Sequence, residues 1–429
     1  MNKLRLIGAA ALAVIMISVF AYQLQPQEGT ETIDTLDRLQ VAELLHRGEA
    51  IQYGKEWDYV QNSYADLTNL IKADPTDSKA KIQLAQLFVK EARVTGEHGH
   101  YYPAALALLN STINQAADDK DMLFLALTHK SGVLLSLHEF EQALQVGTRA
   151  AQLNPVNAQI HGVLVDAHVE LGAYDEAVLL LDRMLQIKPD IRSYSRASYL
   201  REIHGDVAGS IEAMSMAVKA GYPGYEETAW AMLTLAEVYH QYGMVQEAIA
   251  VYDQILATRK DYPFAIAGKA EIMIEQGKYS EAEKALLQAI EIIPEVGYYI
   301  SLAKLYKSQD RVDEMNELNQ EILAMLKDDT DSGHNMNMEY ADVYIDLLDE
   351  PTRGIEYAQI EYSKRPKNID VNRLMARALI ALGNYQEAES YIVAAGVTGS
   401  KHPELIDLRT TSVQRLSTVE RLSSFTSFI

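Results

Sequence analysis

The chain has 429 residues, of which 48% are hydrophobic, and its 60 acidic residues outnumber 38 basic ones to give a formal net charge of -22. This charge argues against a nucleic-acid partner or an anionic membrane surface, because binding phosphates depends on clustered lysine and arginine. The chain contains no cysteine, which excludes disulfides, thiolate metal sites and cysteine nucleophiles.

Residues 1–30 differ from the rest of the chain. Lys3 and Arg5 precede an uncharged apolar run over residues 6–22. The run fits either a secretory signal cleaved before Tyr22 or an uncleaved membrane anchor. In both cases the positive charges ahead of the run predict that the body of the protein lies outside the cytoplasm, periplasmic or secreted. Contact with a membrane is expected only through residues 6–22, and only if they are not cleaved.

Residues 31–77 are predicted to form the first helical hairpin. An apolar stripe predicts one helix from Thr32 to Tyr53, with Ile33, Leu36, Leu39, Leu44 and Leu45 at helical spacing. The segment Glu56 to Ala73 predicts the partner helix, which ends before Asp74-Pro75.

The next hairpin contains the most unusual stretch of the sequence. Ser78 to Glu91 predicts its first helix, and the partner helix is predicted to begin only near Pro103. Residues 92–102 are therefore an expected insertion, with the sequence A-R-V-T-G-E-H-G-H-Y-Y. His98 and His100 suggest a metal site, but they lack a second ligand pair. The favoured alternative is an Ω-like loop packed by Tyr101 and Tyr102, with no metal.

The segment from Ala158 to Pro189 is the most regular part of the chain. It contains two runs with apolar residues at spacings of three and four, separated by Gly172. Each run predicts an amphipathic helix, so the segment predicts a helical hairpin. A hairpin of this size cannot bury both apolar stripes alone, which raises the question of whether the pattern recurs.

The pattern does recur, in four columns. The turn residue repeats at steps of 33 to 39 residues at His138, Gly172, Gly205, Gly243, Gly277, Asp310, Asp349 and Gly383. A small or slim side chain follows five places later at Ala143, Ala177, Ser210, Ala248, Ala282, Met315, Gly354 and Ala388. An aromatic residue lies two places after the turn at Phe140, Tyr174, Tyr279 and Tyr385. Proline stops the second helix at Pro155, Pro189, Pro294 and Pro366.

These columns closely resemble the tetratricopeptide repeat (TPR), and residues 1–30 suggest an exported bacterial member. The resemblance covers Leu44 to Ala395 and places the repeat array at residues 78–398. It implies an all-α fold: an α-solenoid in which stacked helix-turn-helix hairpins form a right-handed superhelix. It also implies a concave groove, lined by the first helix of each hairpin, that binds protein partners.

The helical period predicts which residues line that groove. If Ala158 is place one of its unit, the edge opposite the core falls near places two, five, nine and twelve. The resulting candidate partner-binding residues are Arg192, Tyr199, Trp230, Leu233, Glu237, His240, Phe264 and Glu271. For Trp230 and Phe264 the alternative is burial between units. For Arg192, Arg196 and Tyr199 it is an ordinary solvated face instead of a basic and aromatic spot.

Residues 399–429 are predicted to close the array. Lys401 to Arg409 predicts one further helix. The tail that follows carries apolar residues at three-residue spacing, at Val413, Leu416, Val419, Leu422 and Phe425. This pattern favours an amphipathic helix that caps the stack, which a solenoid needs for solubility. A docking peptide for another protein is the alternative.

No catalytic motif is present: the sequence lacks a G-x-S-x-G elbow, a phosphate loop, H-E-x-x-H and a dinucleotide fingerprint. The sequence therefore predicts a non-enzymatic scaffold that binds protein partners outside the cytoplasm, without a cofactor or metal. One alternative is an accessory protein for solute or metal handling that uses residues 92–102. A second is a structural subunit of an envelope complex.

Overall fold

The computed structural model describes residues 41–116 and 118–426, with side chains up to residue 417. The described residues form helices and no strand. The helices are α1 (Glu56–Ala73), α2 (Ser78–Thr95), α3 (His98–Gln115), α4 (Lys120–Ser136), α5 (Phe140–Leu153), α6 (Ala158–Glu170), α7 (Tyr174–Ile187), α8 (Ile191–Ile203), α9 (Val207–Ala220), α10 (Glu226–Gln241), α11 (Val245–Thr258), α12 (Pro263–Glu275), α13 (Tyr279–Ile292), α14 (Val296–Ser308), α15 (Val312–Asp331), α16 (Asn337–Asp342), α17 (Pro351–Lys364), α18 (Ile369–Ala381), α19 (Tyr385–Ala395) and α20 (Pro403–Thr426). A π-helical turn, Val343–Leu347, extends α16. None of the described helices is both long enough and apolar enough to cross a bilayer.

Consecutive helices pack in antiparallel pairs, which confirms the predicted α-solenoid of hairpins. The turn column is confirmed at every one of its eight positions. Each of its five glycines has a φ between 72° and 79°, and His138, Asp310 and Asp349 have φ between 54° and 59°. The left-handed conformation is therefore a property of the position, and histidine or aspartate adopts it where glycine is absent.

At seven of the eight positions this conformation comes with the same hydrogen-bond pattern; at Asp349, which follows the π-helical turn, the Glu350 amide donates to the Tyr344 carbonyl instead. In the turn after α6, the amide of Gly172 donates to the carbonyl of Val169 at 3.0 Å, and the amide of Ala173 donates to that of His168 at 2.8 Å. This is the Schellman arrangement, which satisfies the last carbonyls of a helix through one left-handed residue. Five places after the turn, the small side chains of Ala143, Ala177, Ser210, Ala248, Ala282 and Ala388 are fully buried. Paired helices approach closely at these points, as predicted.

The predicted helix from Thr32 to Tyr53 is wrong over its described part. Residues 32–40 lie outside the described residues, and residues 41–55 contain only a short 3-10 turn, Glu49–Ile51. Side chains of the next helices bind this backbone instead of its own helical partners. The Tyr101 hydroxyl accepts from the Leu45 amide at 3.0 Å, and that of Tyr64 donates to the Ala42 carbonyl at 3.0 Å. Such bonds satisfy the backbone without a helix.

Residues 92–102 are not an insertion, and the predicted Ω-like loop is wrong. Helix α2 continues to Thr95, Gly96 ends it with φ 76°, and α3 starts at His98. Gly96 is thus one more member of the turn column. The repeat pattern did not reveal this turn, because the place five residues later holds the fully buried Tyr101, whereas most other units have a small side chain there. The packing of Tyr101 and Tyr102 against the hairpin was predicted correctly.

A single helix, α20, replaces the predicted short helix and tail. Leu405 and Leu408 pack against the core of the last hairpin, with Ala388 and Ile392 of α19. This arrangement agrees with a helix that covers the end of the stack. The predicted apolar stripe does not follow it, because Val413 is 59% exposed. The side chains of Val419, Leu422 and Phe425 lie outside the described residues.

The solenoid also returns on itself, which the repeat pattern does not indicate. The ends of early hairpins contact loops 195 to 203 residues later in the chain. The Arg365 guanidinium binds the Glu170 carboxylate at 2.6 Å, and the Ile369 amide donates to the Tyr174 hydroxyl at 2.8 Å. The Asn335 amide donates to the Leu137 carbonyl at 3.1 Å. Successive superhelical turns are therefore stacked in direct contact.

Two buried arginines bridge these turns. Arg259 is 1% exposed and binds Glu56 at 3.3 Å and Glu226 at 3.2 Å. Arg365 is 5% exposed and binds Glu361 in addition to Glu170. A buried arginine needs several acceptors to offset its desolvation, so each bridge fixes the register between turns.

This contact explains which members of the aromatic column are buried. Arg365 covers Phe140 at 4.6 Å, and Tyr174 binds the Ile369 amide, so both residues are 8% exposed. Tyr279 occupies the same place, two residues after Gly277, and it is 41% exposed. The turn at Gly277 is open, because a Cβ added there would meet no described atom within 4 Å. Coverage by the following superhelical turn therefore decides the burial of this column.

A pair of glycine substitutions tests the contact between turns. Gly172→Ala places a Cβ 2.5 Å from the Lys367 backbone, whereas Gly277→Ala places it in open space, and both residues have φ near 72°. The left-handed conformation alone costs alanine about 1 kcal/mol. We expect Gly172→Ala to lower the free energy of unfolding at least twice as much as Gly277→Ala, measured by urea denaturation. Equal losses would contradict the contact between turns.

Candidate functional site

The first helix of each hairpin presents a stripe that does not enter the core. On α10 the stripe consists of Trp230, Thr234, Glu237 and Gln241, spaced by four, three and four residues. Trp230 is 46% exposed, and the Glu237 and Gln241 side chains are also open to solvent. We call these four residues the free stripe of α10.

Two predicted groove residues on α10 lie beside this stripe. Leu233 is 6% exposed and packs in the core with Ala229 and Tyr252, so its predicted contact with a partner is wrong. His240 is half-buried, and its imidazole lies 3.0 Å from the Glu275 carboxylate. The structure places Thr234 and Gln241 at the solvent-facing positions instead. The predicted places five and twelve are therefore one residue too early. On a helix, a residue four places further along lies closer to the same face than a residue three places further along.

On α12 the candidates Phe264 and Glu271 are both half-buried. The Phe264 ring lies between Tyr262 and Tyr298, with centroid distances of 5.4 and 6.0 Å. Of the two alternatives for Phe264, the structure therefore favours a wedge between adjacent units. Trp230 differs, because its ring has no aromatic or hydrogen-bond partner among the described residues.

The arginines of α8 do not form a free basic spot. Arg192 binds Glu227 at 3.3 Å, and Arg201 binds Asp206 at 3.4 Å. Arg196 donates to both carboxylate oxygens of Asp166 on α6. Each positive charge thus faces a carboxylate, and the expected basic surface is neutralised.

Tyr199, the remaining candidate on α8, faces the next superhelical turn. Its hydroxyl lies 3.4 Å from a carboxylate oxygen of Asp370 on α18, and the residue is 38% exposed. Glu202, one helical turn further on, accepts from Gln241 of the free stripe at 2.7 Å. Tyr199 therefore lies where two superhelical turns meet.

Glu237 is the most distinctive acidic group of the free stripe. Its carboxylate has no ion-pair or hydrogen-bond partner among the described residues. Desolvation by the surrounding protein raises its pKa, although the side chain touches solvent. The free stripe of α10 therefore combines an exposed tryptophan with a carboxylate that has no cation partner among the described residues.

The two histidines that suggested a metal site separate in the structure. His100 binds the Glu43 carbonyl through its ring at 2.8 Å, whereas His98 stacks on Tyr102 with a centroid distance of 5.3 Å. His98 also lies near His334 of the following superhelical turn, with ring centroids 5.8 Å apart. The described part of the chain contains no group of three or more His, Asp or Glu side chains that could hold a metal ion. Because burial and the neighbouring His334 lower its pKa to about 4, His98 is neutral near pH 7.

Comparisons with known proteins find repeat proteins. The family model for the tetratricopeptide repeat matches residues 134–201 and 239–306. The solved structure of a thermophilic TPR protein of Thermus thermophilus is 20% identical; the match covers 46% of this chain and 99% of that chain, with a TM-score of 0.39. Pseudomonas aeruginosa PilF is 14% identical, with 48% and 93% of the two chains covered and a TM-score of 0.39. PilW, described as a type IV pilus biogenesis factor, is 17% identical, with 47% and 93% covered and a TM-score of 0.39. At these scores the structures carry no conclusion about this chain, and no curated protein matches it.

The burial of His98 next to His334 predicts a pH dependence of stability. The folded-state pKa of His98, about 4, lies below its usual value of 6.5, so stability is lost as pH falls through this window. Nearby Glu295 acts in the opposite direction, because burial raises its pKa to about 7. The comparison must therefore use a variant that keeps Glu295.

We expect the stability advantage of the wild-type chain over His98→Asn to shrink by about 3 kcal/mol between pH 6.5 and pH 4, a value that follows from the pKa shift. The measurement is urea denaturation of both chains at several pH values. A pH-independent difference would show that His98 is not held neutral by burial.

Proposed function

Since this chain belongs to the tetratricopeptide repeat family, we propose that it is a non-enzymatic scaffold that holds a protein partner against its first helices. The free stripe of α10 is the proposed centre of the binding surface. Trp230 supplies the anchor, and Arg192, Tyr199, Glu237, His240, Phe264 and Glu271 border it. The mechanism is positional, because a curved surface presents the partner without performing chemistry on it.

The exposed Trp230 is the observation that carries this proposal. A tryptophan that is 46% exposed and has no described ring partner leaves a large apolar area in contact with water. Tryptophan is enriched among the residues that dominate binding at protein interfaces. Trp230 lies on α10, the first helix of its hairpin. The first helices are expected to line the concave groove of a tetratricopeptide repeat array.

The charge of the surface indicates the chemistry of the partner. Arg192, Arg196 and Arg201 are paired with carboxylates, whereas Glu237 has no cation among its described neighbours. The surface thus suits a partner segment that brings an apolar side chain and a basic group together. It does not suit a partner recognised by its C-terminal carboxylate, which needs free lysine, arginine or asparagine.

The alternative of a solute or metal accessory protein loses its proposed site. Residues 92–102 belong to two helices joined at Gly96, and their histidines make contacts within the fold. A structural subunit of an envelope complex remains the second candidate. It predicts that the free stripe is dispensable, whereas the scaffold proposal predicts that the stripe is required.

The proposed location is outside the cytoplasm. The support is the sequence of residues 1–30, in which two positive charges precede a long uncharged run. These residues lie outside the described part of the structure.

Substitution of Trp230 tests the scaffold proposal. We expect Trp230→Ala to reduce recovery of the native partner at least tenfold, because an exposed anchor is lost, while the melting temperature stays unchanged. The measurement is affinity isolation of the full chain from its host after crosslinking, followed by quantitative mass spectrometry. Leu179→Ala is the matched control, because Leu179 is 62% exposed on α7, a second helix. Undiminished recovery with Trp230→Ala would refute the proposed surface.

Intact mass spectrometry of the chain recovered from its host tests the location. A mass that corresponds to a chain beginning at Tyr22, in the soluble extracytoplasmic fraction, is expected for a cleaved signal. A full-length mass in the membrane fraction is expected for an anchor. A full-length chain in the cytoplasmic fraction would rule out both.

A further inference from the structure

A polar cavity lies where two superhelical turns meet. One wall comes from α8 and α10 through Tyr199, Glu202 and Gln241, and the other from α18 and the segment before α20 through Asp370, Arg373 and His402. Its volume is about 180 Å³. A single water needs roughly 10–15 Å³ by the same measure, so the cavity has room for a small organic group.

The charges in this cavity do not balance. Arg373 is occupied by two carboxylates, since it binds Asp370 at 2.8 Å and Glu404 at 2.7 Å. Glu202 accepts only from neutral donors, the Gln241 amide at 2.7 Å and the Tyr242 hydroxyl at 3.2 Å. Burial raises the pKa of Glu202. The Glu202 carboxylate is therefore desolvated and forms no ion pair among the described residues. Arg373, the positive charge that acts on it, is itself paired with Asp370 and Glu404.

His402 adds an acceptor but no positive charge. Burial, together with the neighbouring Arg373, lowers its pKa, so its imidazole is neutral near pH 7. Its Nδ1 atom is buried and has no hydrogen-bond partner among the described residues. A neutral imidazole has one nitrogen able to accept a hydrogen bond.

Tyr199 completes the set with an aromatic face. It lies three residues before Glu202 on α8, so both side chains project from the same side of the helix. Its hydroxyl approaches Asp370 on the opposite wall at 3.4 Å. An aromatic ring next to carboxylates is an arrangement that attracts organic cations.

We propose that this cavity binds a primary ammonium group, held by Glu202, Asp370 and His402 against the ring of Tyr199. A primary ammonium has three N–H donors, and these three residues supply three acceptors. A quaternary ammonium has no donor and leaves the acceptors unsatisfied. Because the walls belong to two superhelical turns, the bound group ties the turns together.

The ammonium group has two sources, a free amine or a lysine side chain of a bound protein. The first is independent of the proposed function, and the second rests on it. The two are distinguished with cadaverine as the free amine and a lysine blocked at both its amino and carboxyl ends as the side-chain mimic. The neutral alcohol 1-pentanol serves as the uncharged probe.

Calorimetric titration and thermal unfolding of the full chain test the proposal. We expect at least one of the two amines to bind and to raise the melting temperature, whereas 1-pentanol does neither. Glu202→Gln keeps the oxygen that Gln241 and Tyr242 bind but removes the charge, and should weaken amine binding at least tenfold. Glu212→Gln, which removes an exposed carboxylate on α9, is the control and should leave amine binding unchanged.

Tyr199→Ala provides a second variant in case Glu202→Gln does not fold, because Tyr199, at 38% exposure, is not a core residue. It should also weaken binding. Tighter binding of the blocked lysine than of cadaverine assigns the site to a protein side chain, and the reverse assigns it to a free amine. The proposal is overturned if neither amine binds, or if Glu202→Gln, or Tyr199→Ala in its place, binds them as tightly as the wild-type chain.

Discussion

The left-handed residue between the two helices of each hairpin is the constraint on which the structure depends. It allows the chain to reverse within a single Schellman turn, as at Gly172, and so brings the small residue five places later against the preceding helix. Close packing follows because alanine at that place lets two helix axes approach. The same turn forms at His138 and Asp310, and Asp349 keeps the left-handed φ after a π-helical turn, so the chain reverses at these positions even where glycine is missing.

The left-handed turns of some hairpins have a second role, because residues of the next superhelical turn pack directly against them, as Lys367 does at Gly172. The ends of early hairpins meet loops about 200 residues later in the chain, and the buried Arg259 and Arg365 pair there with Glu56 and Glu170. A solenoid whose units contact only their sequence neighbours is elastic. Contacts of this kind restrain it, so the spacing between first helices is fixed in part by residues far away in the sequence.

This restraint links the two proposed sites. The free stripe of α10 carries Trp230 and Glu237, and Gln241 at its end donates a hydrogen bond to Glu202, which borders the cavity between turns. The proposed cavity therefore borders α10, the helix that carries the tryptophan. At both sites carboxylates outnumber cations, as they do in the whole chain.

The sequence by itself determined the helical hairpins and the turn column, because these depend on local backbone conformation and on the helical period of the apolar residues. It also placed Trp230 and Glu237 opposite a regular apolar stripe, but it left open whether Trp230 is exposed or buried between units. It missed the extended segment 41–55 and the turn at Gly96, where Tyr101 and Tyr64 override the local pattern with long-range hydrogen bonds. Only the tertiary structure decided that Leu233 is core, that the arginines of α8 are neutralised, and that a cavity forms between Glu202 and Asp370. The pairing of Arg192 with Glu227 and the cavity near Tyr199 and Asp370 depend on contacts between different units, which the helical period of a single repeat does not report.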